Sequence, residues 1–200
     1  MGSNITQMKR VLCLGDSLTE GLVTSNKYEF YPYTNCLQEM LGNEYEVVNK
    51  GYSGDRTDQI MNSLIELIKC TGFDYQFAII LGGTNDLCQT DGEEIIKNLQ
   101  FIAERCIQKG AITFLLSIPE MQFDGTLFEE EKRQSVNSSL ENFANNTKNC
   151  YYIDFGAKII NDPKSSKYNK DYWSDNIHFS ELGYKLMGEI IYEELSKHLH

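Results

Sequence analysis

No stretch of this 200-residue chain approaches the roughly 18 consecutive apolar residues that a membrane-spanning helix requires. Its longest apolar runs, FAIIL and AITFLL, have the length of strands. Positive charge is scarce: 18 Lys and Arg stand against 29 Asp and Glu, for a formal net charge of −11. That balance argues against binding nucleic acid, whose phosphates need a basic surface, and disfavours anionic membranes. Proline occurs three times, and there is no internal repeat, low-complexity tract or Pro/Gly-rich linker. We therefore expect one domain over 9–200 behind a flexible N-terminal stretch, 1–8. Histidine is equally rare (His178, His198 and His200), and the six cysteines, Cys13, Cys36, Cys70, Cys88, Cys106 and Cys150, stand singly without a C-x-x-C pair. That combination argues against a zinc site. The opening MGSNITQMKR has no apolar core of a secretory signal, so the thiols read as reduced and mostly buried, and the expected location is cytoplasmic. Gly2 and Thr6 fit the loose myristoylation pattern, for which a chance match or an expression scar is the simpler reading. The N-x-S/T sequons at Asn4, Asn137 and Asn145 would matter only in a secreted protein.

With 41% hydrophobic residues there is enough apolar material for a full core. Short apolar runs alternate with longer segments of helical period. RVLCLG (10–15), YEVVNK (45–50), QFAIILG (76–82), AITFLLSI (111–118) and NCYYIDF (149–155) are the expected strands. The third and fourth are nearly continuous apolar runs, as strands covered on both faces should be. Helices are expected between them. Thr57 or Asp58 caps a helix with Ile60, Met61, Leu64, Ile65 and Ile68 inward. DGEE at 91–94 has capping-box spacing ahead of Ile95, Ile96, Leu99, Ile102, Ala103 and Cys106. Val136, Leu140, Phe143 and Ala144 mark another, a weaker helix covers 32–42, and Ser180 caps the last, with Leu182, Leu186, Met187, Ile190, Ile191 and Leu195 inward. Five strand–helix alternations imply a three-layer α/β/α domain with a mainly parallel sheet. Ligands in such a sheet lie beyond the C-terminal strand ends, so chemistry is to be sought in the loops there.

Four of those loops carry reactive or polar residues. Gly15-Asp16-Ser17-Leu18 follows the first strand, and Ser17 reads equally well as a helix cap or as a nucleophile. Asn49-Lys50-Gly51-Tyr52-Ser53-Gly54 follows the second, where a glycine N–H can face a developing negative charge or simply make a turn. Gly83-Thr84-Asn85-Asp86 follows the third; Asn85 can donate to an oxyanion, while Asp86 can bond local backbone. Before the last helix, Asp175 precedes His178 by three residues, close enough for a carboxylate to orient an imidazole general base. A serine, a histidine with its acid and candidate oxyanion donors together fit acyl transfer through a covalent intermediate.

These four blocks, in this order and spanning essentially the whole chain, resemble the GDSL esterases and lipases, also called SGNH hydrolases. The resemblance implies a flavodoxin-like three-layer α/β/α fold with five parallel strands, and hydrolysis of a small-molecule ester without metal or cofactor. It assigns Ser17 as nucleophile, His178 as general base and Asp175 as orienting acid. The oxyanion hole would be the N–H groups of Ser17 and Gly54 with the amide of Asn85. No G-x-S-x-G elbow is present, so the chain does not look like an α/β-hydrolase. Leu18, Tyr52, Arg56, Leu87 and Ile177 neighbour the signature residues as candidate substrate walls or as packing. Met121, Phe123 and Phe128 either cover the site or cap the core, and the aromatic segment 26–33 meets an alcohol or sugar moiety or packs over the sheet edge. A short acyl group, acetyl above all, is the expected substrate fragment. A lysophospholipase or thioesterase, an acyltransferase with the same triad, and a non-catalytic ligand-binding protein on the same fold, flavin binders included, are the alternatives. Oligomeric state is not legible.

Overall fold

The computed structural model describes residues 8–24 and 28–199. Gly2, Asn4 and Thr6, residues 26 and 27 of the aromatic segment, and His200 lie outside the described residues.

In chain order the elements are β1 (Lys9–Gly15), α1 (Ser17–Glu20), β2 (Leu22–Val23), β3 (Glu29–Phe30), α2 (Tyr33–Leu41), β4 (Tyr45–Gly51), α3 (Thr57–Thr71), β5 (Phe77–Ile80), α4 (Gly92–Gln108), β6 (Ile112–Leu116), β7 (Gln122–Phe123), β8 (Thr126–Leu127), α5 (Glu130–Asn145), β9 (Cys150–Ile153) and α6 (Glu181–Leu195). Five strands form one sheet in the order β4-β1-β5-β6-β9. Every pairing in it is parallel, with Val11 beside Val47 on one flank and Phe77 on the other, then Phe77 beside Ile112 and Thr113 beside Cys150. All five expected strands are present.

Strand side chains alternate between two apolar layers, because successive Cβ atoms point to opposite faces. Val11, Cys13, Ile79 and Phe114 face a core completed by Tyr33 and Leu37 of α2 and Met187 and Ile191 of α6. Leu12, Leu14, Ile80 and Leu115 face the other, completed by Ile60 and Leu64 of α3, Leu99 and Ile102 of α4, and Val136 and Leu140 of α5. Helices on both faces thus explain the unbroken apolar runs of β5 and β6.

Several local expectations need correction. Neither Thr57 nor Asp58 caps α3: Arg56 holds the cap position, and Thr57 is the first helical residue, its amide and hydroxyl both given to Asp86. Asp91 does occupy the cap of α4, but its side chain accepts no capping hydrogen bond. Ser180 caps α6 as expected, accepting from the Gly183 N–H at 3.2 Å. Leu182, expected inward, is exposed, because it lies on the outer face of α6 with Lys185 and Glu189 while Gly183 and Tyr184 of the same turn are buried. Only Cys13, Cys106 and Cys150 of the six free thiols are buried; Cys70 and Cys88 are exposed.

The topology places the site. β1 has β4 on one side and β5 on the other, so the chain reverses direction of winding at β1. A crevice opens at the carboxyl ends of such a pair. The loops leaving β1 and β5, which carry Ser17 and Asn85, flank it.

Candidate active site

The turn after β1 removes the helix-cap reading of Ser17. The cap is its neighbour: Asp16 Oδ1 accepts the Leu18 N–H at 2.9 Å, and Ser17 is the first residue of α1. Ser17 itself is only 5% exposed, and its hydroxyl has no capping task. Its Oγ lies 3.1 Å from His178 Nε2, and His178 Nδ1 lies 2.8 Å from Asp175 Oδ2. A residue on the loop after β1 thereby meets two from the loop before α6, more than 150 positions along the chain.

The His178 loop is built for this reach. Asp175 Oδ1 accepts the N–H groups of Ile177 at 2.7 Å and His178 at 2.6 Å, which folds the three-residue spacing into a tight turn. Burial works against the Asp175 charge, but hydrogen bonds from the His178 ring, the His178 N–H, the Thr24 hydroxyl and the Ile177 N–H outweigh it. They hold the carboxyl well below the usual carboxylate range. A permanently charged acid at Nδ1 fixes the tautomer whose Nε2 lone pair faces Ser17.

Gly54 and Asn85 come together at one cavity. Gly54 has φ +86°, in the left-handed region that favours glycine, and a Cβ there would meet nothing within 4 Å. Its requirement is conformational. Among the described residues neither the Ser17 nor the Gly54 N–H has an intramolecular acceptor. Asn85 Nδ2 donates one hydrogen to the Asp55 carbonyl at 2.9 Å, which aims the amide and leaves its second N–H for a ligand. Asp86 serves long-range structure, where local backbone bonding was the simpler expectation. Its Oδ1 accepts the Thr57 hydroxyl at 2.7 Å, and Asn98 Nδ2 donates to the same hydroxyl at 3.0 Å. This buried knot pins the start of α3, and with it residues 54–56, against the Asn85 loop.

The cavity has a volume of about 510 Å³, and Met121, Phe123, Phe128 and Ile177 make much of its wall, with Arg56 and Cys88 at its side. Phe123 and Phe128 meet at 6.1 Å between ring centroids across the β7–β8 hairpin. That hairpin turns on Asp124 and Gly125, both with positive φ, as a two-residue turn of this kind needs. The Asp-Gly pair was a readable signal for it in the sequence. Of the candidate walls, Arg56 and Ile177 do line the cavity. Leu18 and Leu87 are fully buried in the two core layers and present no surface to a ligand. Tyr52 instead lines a separate cavity between β4 and α3. In the aromatic segment, Tyr33 belongs to the core while Tyr28 and Phe30 are exposed.

Residues that sequence reasoning missed hold the site's periphery. Gln122 donates from its backbone N–H to the Asn176 carbonyl at 3.1 Å, and its side chain donates to Asn161 Oδ1 at 2.7 Å. Asn161 in turn donates to the Asn176 carbonyl at 2.9 Å. The cavity hairpin and the His178 loop are thus fastened together through a buried asparagine. No spacing rule links residues 122, 161 and 176. Among the described residues no set of three or more His, Cys, Asp or Glu side chains is placed to hold a metal ion, and no helix is long and apolar enough to cross a membrane.

Asp16 adds a pH dependence. It is fully buried, with Oδ2 lacking any partner. Burial pushes its carboxyl up to about 7, against the opposing pull of the Leu18 N–H and of His178. An unfolded aspartate titrates near 3.9, so between about pH 4 and 7 the folded state holds a proton that the unfolded state has lost. Stability from this group is complete below about pH 4 and declines as pH rises through about 7. Urea titrations at pH 5 and pH 8 are expected to give a lower unfolding free energy at the higher pH for the native sequence, and a smaller difference for Asp16→Asn.

A model of the GDSL-like lipase/acylhydrolase family matches residues 13–186. No curated protein matches the chain. Among solved structures, the native aryl esterase of M. smegmatis superposes with a TM-score of 0.77 at 21% identity, covering 96% of this chain and all of that one. A carbohydrate acetylesterase from Sinorhizobium meliloti gives 0.75 at 19% identity, covering 96% of this chain and 100% of its own. A GDSL-like lipase from Bacteroides thetaiotaomicron gives 0.74 at 20% identity, over 100% of this chain and 93% of that one. At such identities these likenesses speak for the SGNH fold; the family match speaks for the chemistry. The chain belongs to the GDSL-like lipase/acylhydrolase family and is, accordingly, an ester-bond hydrolase.

Proposed function

We propose that the protein hydrolyses carboxylic esters of small molecules through an acyl-enzyme on Ser17, with a short acyl group, acetyl foremost. The observation that carries this reading is the continuous relay from Ser17 Oγ to His178 Nε2 at 3.1 Å and from His178 Nδ1 to Asp175 at 2.8 Å. His178 takes the Ser17 proton as Oγ attacks the carbonyl, then returns it to the departing alcohol. Water, deprotonated by the same imidazole, releases the acid. Charge that develops on the carbonyl oxygen is met by the N–H groups of Ser17 and Gly54 and the second N–H of Asn85, donors already held in place, Ser17 in the first turn of α1 and the Asn85 amide by the Asp55 carbonyl. Leu18, beside Ser17, is packed into the core and adds no surface to the cavity. The cavity rim is open at Phe123, which is 63% exposed, and this suits an apolar alcohol portion better than an enclosed chain.

Asn85→Ala removes one oxyanion donor and is expected to lower kcat by about two to three orders of magnitude, with KM little changed. Rates on p-nitrophenyl esters from acetate to dodecanoate test the acyl preference in the native protein. They are expected to be highest for acetate, and a maximum at the octanoate or beyond would overturn the short-acyl reading. Product analysis with an added alcohol tells hydrolysis from acyl transfer.

A further inference from the structure

Asp175 stands near the surface, its side chain 35% exposed, so its carboxylate must keep its orientation in the presence of water. Its own turn supplies part of the restraint. Oδ1 takes the Ile177 and His178 amides, and Ser174 closes the turn from below, donating from its N–H and its hydroxyl to the His178 carbonyl at 2.9 and 3.2 Å. Oδ2, the oxygen that faces His178 Nδ1, gets no second donor from that turn. The donor it does have comes from the other end of the chain: the Thr24 hydroxyl donates to Oδ2. The Thr24 amide also donates to Ser174 Oγ, at 3.3 Å. Thr24 directly follows β2, and the strand is itself anchored, because the buried Tyr184 of α6 donates its hydroxyl to the Leu22 carbonyl at 2.9 Å.

We infer that Thr24 is a positioning residue for the triad, a clamp that grips the catalytic turn at two points and fixes the carboxylate plane of Asp175; the role rests on the Ser17–His178–Asp175 reading above. The final torsion of an aspartate is broad, so a carboxylate whose Oδ2 is held only by an imidazole that can itself turn still rocks. With Oδ1 taking two amides and Oδ2 taking the imidazole and the Thr24 hydroxyl, rocking breaks bonds at both ends. Without the hydroxyl, a water replaces a fixed donor with a mobile one. His178 then spends less time with Nε2 aimed at Ser17, and small misplacements of that kind are costly in rate. Thr24 is not among the residues that line the cavity, so substrate binding is not expected to depend on it.

The test compares Thr24→Val, which keeps the shape and loses the hydroxyl, with Thr24→Ser, which keeps the hydroxyl. Thr24→Ala is a second hydroxyl-free variant, so a folding defect peculiar to valine does not decide the matter. On p-nitrophenyl acetate both hydroxyl-free variants are expected to lose about tenfold or more in kcat, with KM unchanged and with Thr24→Ser close to the native rate. The proton on His178 Nδ1, followed by NMR, is expected to exchange with water faster in the valine variant than in the serine variant. Retention of kcat by both hydroxyl-free variants would overturn the inference, as would equal losses in all three or a loss carried by KM. Ser17→Ala separates this outcome from failure of the underlying reading: if that variant still turns over normally, the triad assignment falls, whereas an inactive Ser17→Ala beside a fully active Thr24→Val removes the clamp alone.

Discussion

Ser17→Ala is expected to reduce kcat on p-nitrophenyl acetate by about five to six orders of magnitude and to abolish the mass increase that a fluorophosphonate probe produces on the native protein. The size of the effect follows from what the substitution leaves behind. Without Oγ there is no covalent intermediate, and His178 and Asp175 have nothing to activate except water that is not held in the attacking position. The oxyanion donors remain, so residual catalysis above the uncatalysed rate should persist, because removing one member of a unit disables the whole without removing its electrostatic surroundings. The fold should be almost untouched. Ser17 is a small first-turn residue whose capping task belongs to Asp16, and the only side-chain bond lost is the one to His178 at 3.1 Å, of the kind worth about 1 kcal/mol net. A melting temperature near that of the native protein, together with a probe-resistant and inactive variant, is the predicted pair of results. Normal hydrolysis by Ser17→Ala would sink the nucleophile assignment.

What could be read from the sequence, and what could not, divides along physical lines. The sheet was legible because strands with both faces covered leave unbroken apolar runs, and each such run became a strand within a residue or two. The grouping of the candidate site was legible because parallel α/β topology sends every loop that follows a strand to one edge. That rule and the three-residue spacing of Asp175 and His178 pointed to side chains that do meet, Ser17 with His178 and His178 with Asp175, and to Gly54 and Asn85 at one cavity; the roles expected of them came from the family resemblance. Caps were harder. Thr57 has the composition of a capping residue, but Asp86, 29 positions away, claims its amide and hydroxyl, and no local pattern reveals a partner that tertiary packing delivers. The same holds for the walls of the cavity. Leu18 and Leu87 are beside signature residues in sequence yet point into the two core layers, while Met121 and Phe128 reach the cavity from a hairpin after β6. Proximity along the chain gave one answer and the direction of each side chain gave another. Thr24 and Asn161 were invisible for the first of these reasons: their importance lies wholly in contacts across 150 and 15 positions with the turn that carries His178.

Asp175→Asn makes a sharper demand on the geometry than its modest change in shape implies, and it is expected to lower kcat near neutral pH by about four orders of magnitude. The reason lies in the donors around the side chain. One of its oxygens accepts two backbone N–H groups, from Ile177 at 2.7 Å and His178 at 2.6 Å. An asparagine must place its carbonyl oxygen there, since an NH₂ group would face two donors. Its NH₂ is then forced to the other side, against His178 Nδ1 and the Thr24 hydroxyl. Nδ1 becomes an acceptor, the ring proton moves to Nε2, and the nitrogen opposite Ser17 can no longer take a proton. The turn itself, still closed by the carbonyl oxygen and by Ser174, should keep its shape, so the loss is one of tautomer and charge. Stability at acid pH supplies an independent check. The folded-state pKa of Asp175 lies below that of an unfolded aspartate, so its contribution is present above about pH 4 and is lost as pH falls through the lower folded value. The asparagine variant should therefore lie closest to the native protein in stability at the acid end of a denaturation series and furthest from it near neutrality. A variant that kept its kcat at pH 7, with Nδ1 still carrying the proton by NMR, would show that the carboxylate does not set the tautomer of His178.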